Sequence, residues 1–271
     1  MKVTKLATIV ALSSTILVGG TTAAFAAETR TVTTDGQITF TPNTDDELVV
    51  VPPEEGPDAP DVEIPPQVPG TTGPLSIMKA PTMNFGSQVI SNQDQTYNMV
   101  AEMQKLANPV EDGPTEVPYV SFAQVQDVRG TNAGWNLQVR LSDFTSTTQN
   151  NRLTGAEIQL LNPRIQYEGS NATNAPSAHT SGLTLRPNSS AVPVMTAAAE
   201  KGAGVSSVVW GNQADLNAQF EDEDTEVVEN NAIQLSIPGA TAKDATTYRS
   251  TLTWELTTTP DEDAGTPETS I

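Results

Sequence analysis

The chain has 271 residues, and its 33 Asp and Glu against 13 Lys and Arg give a formal net charge of −20. A nucleic-acid partner needs a basic footprint, so this charge argues against nucleic acid and against simple adhesion to an anionic membrane. The chain contains no cysteine. Disulfides therefore cannot stabilise it, and a packed core has to do so.

Residues 1–26 have the features of a secretory signal peptide. Lys2 and Lys5 precede an apolar stretch from Leu6 to Val18, and Ala24-Phe25-Ala26 has the small-x-small form that signal peptidase requires. The apolar stretch is shorter than the roughly 20 residues of a membrane span and is interrupted by hydroxyl side chains. We expect cleavage before Ala27 and a soluble, exported mature protein.

Residues 27–72 are predicted to form an acidic, proline-rich linker. No Lys or Arg occurs between Thr31 and Thr72, whereas carboxylates and prolines recur throughout. Proline fixes φ and removes a backbone donor, and like charges extend a chain, so disordered and polyproline II conformations are expected. Within this stretch only Gln37–Thr41 has the alternation of a short strand.

From Gly73 onward short alternating apolar runs are separated by Gly, Pro, Asn and Asp. Together with the scarcity of strong helix formers, they predict an all-β domain over residues 73–271, a β-sandwich or partly closed barrel, with an acidic tail after residue 260. One short helix around Thr96–Leu106 competes with a strand there. The candidate strands are Leu75–Met78, Gln95–Val100, Val120–Val128, Gly134–Leu141, Ala156–Leu161, Val205–Trp210, Ala232–Ile237 and Thr246–Thr258.

Two other stretches are predicted to be mainly loops. Residues Asn171–Gly204, rich in small and polar side chains, are expected to form long connections around short strands such as Ser181–Leu185. The acidic run Glu221–Asp224 lacks the ligand spacing and the glycine of an EF-hand loop, so we expect a solvated loop without a bound cation.

Two Trp-x-Leu tripeptides, Trp135-Asn136-Leu137 and Trp254-Glu255-Leu256, lie in alternating stretches. A period of two places the Trp and the Leu of each tripeptide on one face of a sheet and the middle residue on the other. The chain contains only three tryptophans, and two of them occupy this same pattern.

With their flanking residues, these tripeptides give the chain a close resemblance, from about residue 73 to 259, to the WxL-domain surface proteins of low-GC Gram-positive bacteria. An acidic tail continues past Pro260, where many members of that family end. The segments that carry the resemblance are Gly73-Pro74-Leu75-Ser76-Ile77, Asn84-Phe85-Gly86, Val125-Gln126-Asp127-Val128-Arg129-Gly130, Gly134-Trp135-Asn136-Leu137-Gln138-Val139, Leu153-Thr154-Gly155-Ala156, and Tyr248-Arg249-Ser250-Thr251-Leu252-Thr253-Trp254-Glu255-Leu256.

The resemblance implies a secreted protein that is attached non-covalently to the cell wall by binding peptidoglycan. It also implies assembly into surface complexes with other WxL proteins and with a membrane-anchored, WxL-interacting partner. An alternative is a subunit that docks such a partner and does not bind glycan directly.

The candidate peptidoglycan-binding residues are Trp135, Leu137, Trp254 and Leu256, because an indole offers a flat stacking surface and an N–H donor to a sugar. The competing interpretation is that both Trp-Leu pairs pack the core, which would leave the polar opposite face as the binding candidate. An intermediate arrangement has the two strands adjacent and the indoles partly exposed in a groove.

No catalytic, cofactor or metal site is predicted. His179 is the only histidine and lies in the stretch expected to be loops, where an ordinary loop residue is the simpler interpretation than a member of a Ser-His-Asp triad. One histidine and carboxylates make a poor zinc site. A wall-active glycan hydrolase with an unmarked pair of carboxylates is the remaining enzymatic alternative.

Overall fold

The computed structural model describes residues 36–42, 49–65 and 71–258. The chain divides into two compact units, Met1–Thr39 and Phe40–Ile271. Only residues 36–39 of the first are described, and every strand and helix named below belongs to the second. The predicted signal peptide and the acidic tail after residue 260 lie outside the described residues, as does much of the predicted linker.

The regular secondary structure described in the second unit is nearly all β-strand, which confirms the all-β prediction. The one α-helix in the part of the chain that the structure describes, α1, is Gln213–Glu221, and a 3-10 turn covers Ala172–Asn174. Among the described residues, no helix has the length and apolar character needed to cross a membrane. The strands are β1 Val62–Glu63, β2 Leu75–Lys79, β3 Gln95–Val100, β4 Glu102–Leu106, β5 Glu116–Tyr119, β6 Ser121–Asp127, β7 Trp135–Leu141, β8 Glu157–Leu160, β9 Arg164–Tyr167, β10 Ser177–Ala178, β11 Leu183–Leu185, β12 Val192–Ala197, β13 Gly204–Trp210, β14 Glu229–Ile237 and β15 Leu252–Thr257.

These strands form four small sheets in which every ladder between neighbouring strands is antiparallel. We name each sheet after a central strand. The β7 sheet has the order β10-β12-β7-β15, the β14 sheet β11-β8-β14-β3, the β6 sheet β2-β6-β13-β9, and the β4 sheet β1-β4-β5. The β6, β7 and β14 sheets all contribute to one large core, so a two-sheet sandwich is not confirmed.

Both faces of the β6 sheet are covered. Successive side chains of its central strands belong to two different cores. In β6, Ala123 and Val125 belong to the larger core, whereas Phe122 belongs to a second one. In β13, Val208 and Val209 divide in the same way. Successive side chains of a strand point to opposite faces, and the near-continuous burial of β6 follows from that alternation.

Residues 49–65, which composition predicts to be linker, pack into the second core. Val50, Val62 and Ile64 are buried there, and β1 pairs with β4. The buried side chain of Gln124 receives a hydrogen bond from the backbone N–H of Val51 (2.9 Å) and donates one to its carbonyl (2.7 Å). The linker prediction therefore does not describe this part of residues 27–72, since a few apolar residues between prolines suffice to anchor it.

Two other predictions need correction. Thr96–Leu106, where a helix competed with a strand, forms strands β3 and β4. Residues Gln37–Thr41 form no strand with the described part of the chain, and the side chains of Ile38 and Phe40 are exposed. A short alternating run fixes only which side chains share a face, and its pairing depends on a partner strand.

A buried ion pair links β2 to β4 beside the second core. Lys79 Nζ lies 3.2 Å from Glu102 Oε1, and both side chains are nearly inaccessible to solvent. The ammonium also lies 5.3 Å from the centre of the Phe122 ring, within the range of a cation–π contact. This pair follows an irregularity in the β2–β6 ladder between Ile77 and Lys79, which redirects the lysine.

Glu102→Gln should lower the free energy of unfolding by about 3–5 kcal/mol, because it leaves the Lys79 ammonium buried without its countercharge. Glu63→Gln is the matched control. Its pair with Lys105 spans 3.8 Å between solvent-exposed side chains, and such pairs contribute at most about 1 kcal/mol. Urea unfolding of both variants measures the difference, and equal effects would contradict the assigned role of the buried pair.

Candidate functional site

The two Trp-x-Leu motifs lie on neighbouring antiparallel strands of the β7 sheet. Leu256 is opposite Leu137, and Trp254 is opposite Val139. Residues directly opposite each other on antiparallel strands point to the same face, so both Trp-Leu pairs share one face. The predicted arrangement with adjacent strands is therefore present, although Trp135 and Trp254 do not face each other across the ladder.

The shared face of β7 and β15 is turned toward the larger core. Trp135 and Leu137 are completely buried in it. Trp254 and Leu256 are partly buried and pack against it. The core interpretation thus holds for Trp135 and Leu137, which cannot reach a wall polymer in the folded protein.

The indole of Trp135 is held by Gly202, which was not among the residues predicted from the sequence. Its indole Nε1 donates a 3.0 Å hydrogen bond to the Gly202 carbonyl oxygen. Gly202 has φ +72°, and a Cβ there would lie 2.5 Å from the Cβ of Ala197 and 2.7 Å from the indole nitrogen. Only glycine fits this close approach at a left-handed backbone conformation.

Trp254 contacts the third tryptophan, Trp210, which ends β13. Their ring centroids are 6.5 Å apart at an interplanar angle of 50°. Trp210 is completely buried and stacks on His179, with ring centroids 5.9 Å apart. These three rings form a continuous series from the core to the half-buried Trp254.

His179 is buried, not an ordinary loop residue as the sequence predicted. Its Nδ1 lies 2.7 Å from the Thr180 carbonyl oxygen, which can only accept, so Nδ1 carries the proton. Its Nε2 then accepts the 2.9 Å hydrogen bond from the indole N–H of Trp210. Burial lowers the pKa of His179 below its ordinary value of 6.5, and the Thr180 carbonyl opposes this shift.

This environment also removes His179 as a catalytic base. Both ring nitrogens are engaged, one by Trp210 and one by Thr180. A Ser-His-Asp triad needs one nitrogen on the nucleophile and the other on an acid. The described residues also contain no group of three or more His, Asp or Glu placed to hold a metal ion. The four residues of the acidic run Glu221–Asp224 are exposed.

A groove of about 470 Å³ opens beside Trp254. One wall is formed by residues 250–254, which include the start of β15, and the other by the end of β2 and the residues that follow it. Thr71 also borders it. Among the described residues β15 is the edge strand of its sheet, so its outer backbone groups are not used in a ladder. The lining residues are Thr71, Ile77, Met78, Lys79, Ala80, Pro81, Thr82, Met83, Ser250, Thr251, Leu252, Thr253 and Trp254.

The opposite face of β7 and β15 is polar. Arg140 and Glu255 form an exposed ion pair of 3.3 Å across the two strands. Asn136, the middle residue of the first tripeptide, is buried and accepts a 2.9 Å hydrogen bond from the Thr196 hydroxyl. The two middle residues therefore differ, since Asn136 holds β7 to β12 whereas Glu255 faces solvent in part.

The fold defines an all-β domain in which the two Trp-x-Leu strands pair and turn both motifs toward one core. A family model described as WxL domain, surface cell wall-binding, matches residues 27–260. The chain therefore belongs to the WxL domain family of cell wall-binding surface proteins. Neither the comparison with curated proteins nor that with solved structures gave a match.

Gly202→Ala should destabilise the protein strongly. A left-handed conformation costs a residue with a Cβ about 1–2 kcal/mol, and the clash with Ala197 and Trp135 adds about 1–3 kcal/mol of overpacking. Gly182→Ala is the control, because Gly182 has φ +86° with no atom within 4 Å of an added Cβ. Chemical denaturation of both variants gives the comparison, and a loss in Gly202→Ala no larger than the control would refute the packing role.

The stability of the protein should fall as the pH drops below about 6.5. The folded state holds the pKa of His179 below 6.5, so the unfolded chain binds the additional proton first and is favoured on acidification. Since His179 is the only histidine, His179→Gln should flatten the dependence of the free energy of unfolding on pH between 7 and 5.5. An unchanged slope in that variant would exclude His179 as its cause.

Proposed function

We propose that this protein is exported and attaches non-covalently to peptidoglycan through its WxL domain, with Trp254 at the contact. The observation that supports this most is the position of Trp254, a half-buried indole that lines an open groove. A half-exposed tryptophan offers a large, rigid contact area together with an N–H donor. The signal peptide expected over residues 1–26 supports export.

The four candidate binding residues divide into two groups under this proposal. Trp254 is the residue that touches the wall. Trp135 and Leu137 are completely buried and Leu256 packs against the core, so these three hold β7 and β15 in place. Their side chains determine the position of Trp254 and make no contact with the ligand.

We also propose that the protein binds the wall without cleaving it. Its family is a family of wall-binding domains, and His179 is held between Trp210 and Thr180. Within the described residues, the ion pairs of Arg140 with Glu255, Arg186 with Glu157 and Arg152 with Asp143 engage carboxylates of several strands and loops. Release of soluble sugar from walls by the purified protein would contradict this proposal.

A second candidate function is docking of a protein partner within a surface complex. It is favoured by the edge position of β15, since an edge strand can add a strand of another chain. Under this alternative a membrane-anchored WxL-interacting protein or another WxL protein occupies the edge. Co-sedimentation with protein-free peptidoglycan separates the two functions, because only direct wall binding survives the absence of a partner.

Trp254→Ala should reduce binding of the purified protein to insoluble peptidoglycan about thirtyfold, the effect of removing an interface tryptophan that contributes about 2 kcal/mol. The measurement is the bound fraction after sedimentation at increasing amounts of peptidoglycan. Phe220→Ala is the control, because Phe220 is an exposed aromatic residue on α1 that does not line the groove.

Unfolding curves show whether Trp254→Ala loses peptidoglycan binding because the groove has changed or because the protein is destabilised. Trp254→Ala should keep the cooperative transition of the parent, and Trp254→Phe should recover part of the binding because a phenyl ring still stacks. If Trp254→Ala is folded and binds peptidoglycan as well as the parent does, Trp254 is not the wall contact.

A further inference from the structure

The described lining of the groove beside Trp254 presents hydroxyl and apolar groups but no accessible charge. Among the described residues, its only charged lining residue is Lys79, whose side chain is fully inaccessible to solvent and is paired with Glu102. Apolar side chains such as Leu252 and Met83 lie beside the threonines at positions 251 and 253. The hydroxyl groups of these two threonines form no hydrogen bond within the described residues.

We propose that this groove binds the uncharged N-acetylated sugars of the glycan strand, and not the acidic stem peptides or the anionic phosphate polymers of the wall. The inference rests on the proposed wall attachment and names its ligand. In intact peptidoglycan the lactyl carboxyl group is joined to the stem peptide as an amide, so the glycan backbone itself carries no charge. A groove without accessible charge matches that backbone.

The overall charge of the chain excludes anionic ligands more strongly than the groove alone does. A formal charge of −20 repels polyphosphates and carboxylates. A site for such polymers would present Arg or Lys, which pair with phosphate and carboxylate oxygens. The described lining of the groove offers no exposed cation to offset the repulsion.

The outer edge of β15 can bind the N-acetyl group of the sugar. Edge strands leave backbone N–H and C=O groups without a ladder partner, and β15 has this position among the described strands. An acetamido group is a secondary amide with one donor and one acceptor, so it can bond to such an edge as another peptide unit does. The sugar ring then stacks on Trp254 while its acetamido group bonds to the edge.

Trp254 is pre-organised for this contact. Its ring packs against Trp210, which is in turn held by the hydrogen bond to His179. Fixing a contact residue before binding reduces the entropy lost on association. The volume of about 470 Å³ also falls within the range of small-ligand sites.

The test is a titration of the full-length mature protein with the uncharged hexamer of N-acetylglucosamine, followed by tryptophan fluorescence and calorimetry. Binding is expected, with an affinity that changes less than about twofold between about 50 mM and about 500 mM salt because no ion pair is involved. Trp254→Ala should weaken it at least about tenfold, and Phe220→Ala should leave it unchanged. Polyglycerol phosphate and a free stem peptide are expected not to bind.

Each outcome separates this inference from the proposed function. A protein that sediments with peptidoglycan but binds the stem peptide or polyglycerol phosphate in place of the hexamer overturns the ligand assignment and leaves wall attachment intact. Hexamer binding that is unaffected in folded Trp254→Ala overturns the groove as its site. A protein that does not sediment with peptidoglycan overturns the proposed function itself.

Discussion

The pairing of β7 with β15 is the constraint on which the site depends. It joins segments far apart in the chain, with Thr257 contacting Asn136 across 121 residues. Because the register places Leu256 opposite Leu137, the apolar side chains of both motifs fall on one face and bury together. A slip by one residue would turn one motif outward and expose its Trp and Leu. The shared apolar face therefore fixes the register, and the register fixes the position of Trp254.

The two tryptophans of the motifs have different physical roles although their local sequences are alike. Trp135 lies in β7, which has neighbours on both sides, whereas Trp254 lies in β15 at the sheet edge. Among the described strands, β7 is flanked by β12 and β15, whereas β15 has a neighbour on one side only, which leaves the groove open beside Trp254. The same alternating pattern thus gives a core residue in one strand and a half-exposed groove residue in the other. Trp210 and His179 connect the exposed residue to the core.

The sequence predicts several of the strands because alternation is a local property, but β12 Val192–Ala197, which pairs with β7, lies in the stretch expected to be mainly loops. The predicted Gln95–Val100 and the predicted strand around Trp135 agree with β3 and β7. Helix α1 was missed because only Gln213 and Leu216 are buried in it, which gives almost no amphipathic signal. The start of α1 does carry a sequence signal. Asn212 is a favoured N-cap residue, and its side-chain oxygen accepts hydrogen bonds from two backbone N–H groups of the helix.

The site itself could be predicted only in part, because its decisive contacts are non-local. Periodicity shows that Trp254 and Leu256 share a face, but not whether their strand lies at an edge. The burial of His179 depends on Trp210, a residue 31 positions away. The groove requires the end of β2 to lie beside β15, and neither strand carries a local signal for the other. Such pairings depend on the whole core and not on a short window of sequence.

An open edge strand is an aggregation hazard, and this domain limits it in two ways. A β-strand with unpaired backbone groups is a template for other chains. The Arg140–Glu255 pair places charge on the polar face of β7 and β15, and charged side chains on edge strands oppose pairing with a second copy. The net charge of −20 adds a repulsion between copies that acts over about a Debye length, roughly 8 Å at physiological salt. The uncharged glycan that we propose for the groove is not subject to this repulsion, so a charge that opposes association of copies does not oppose its binding.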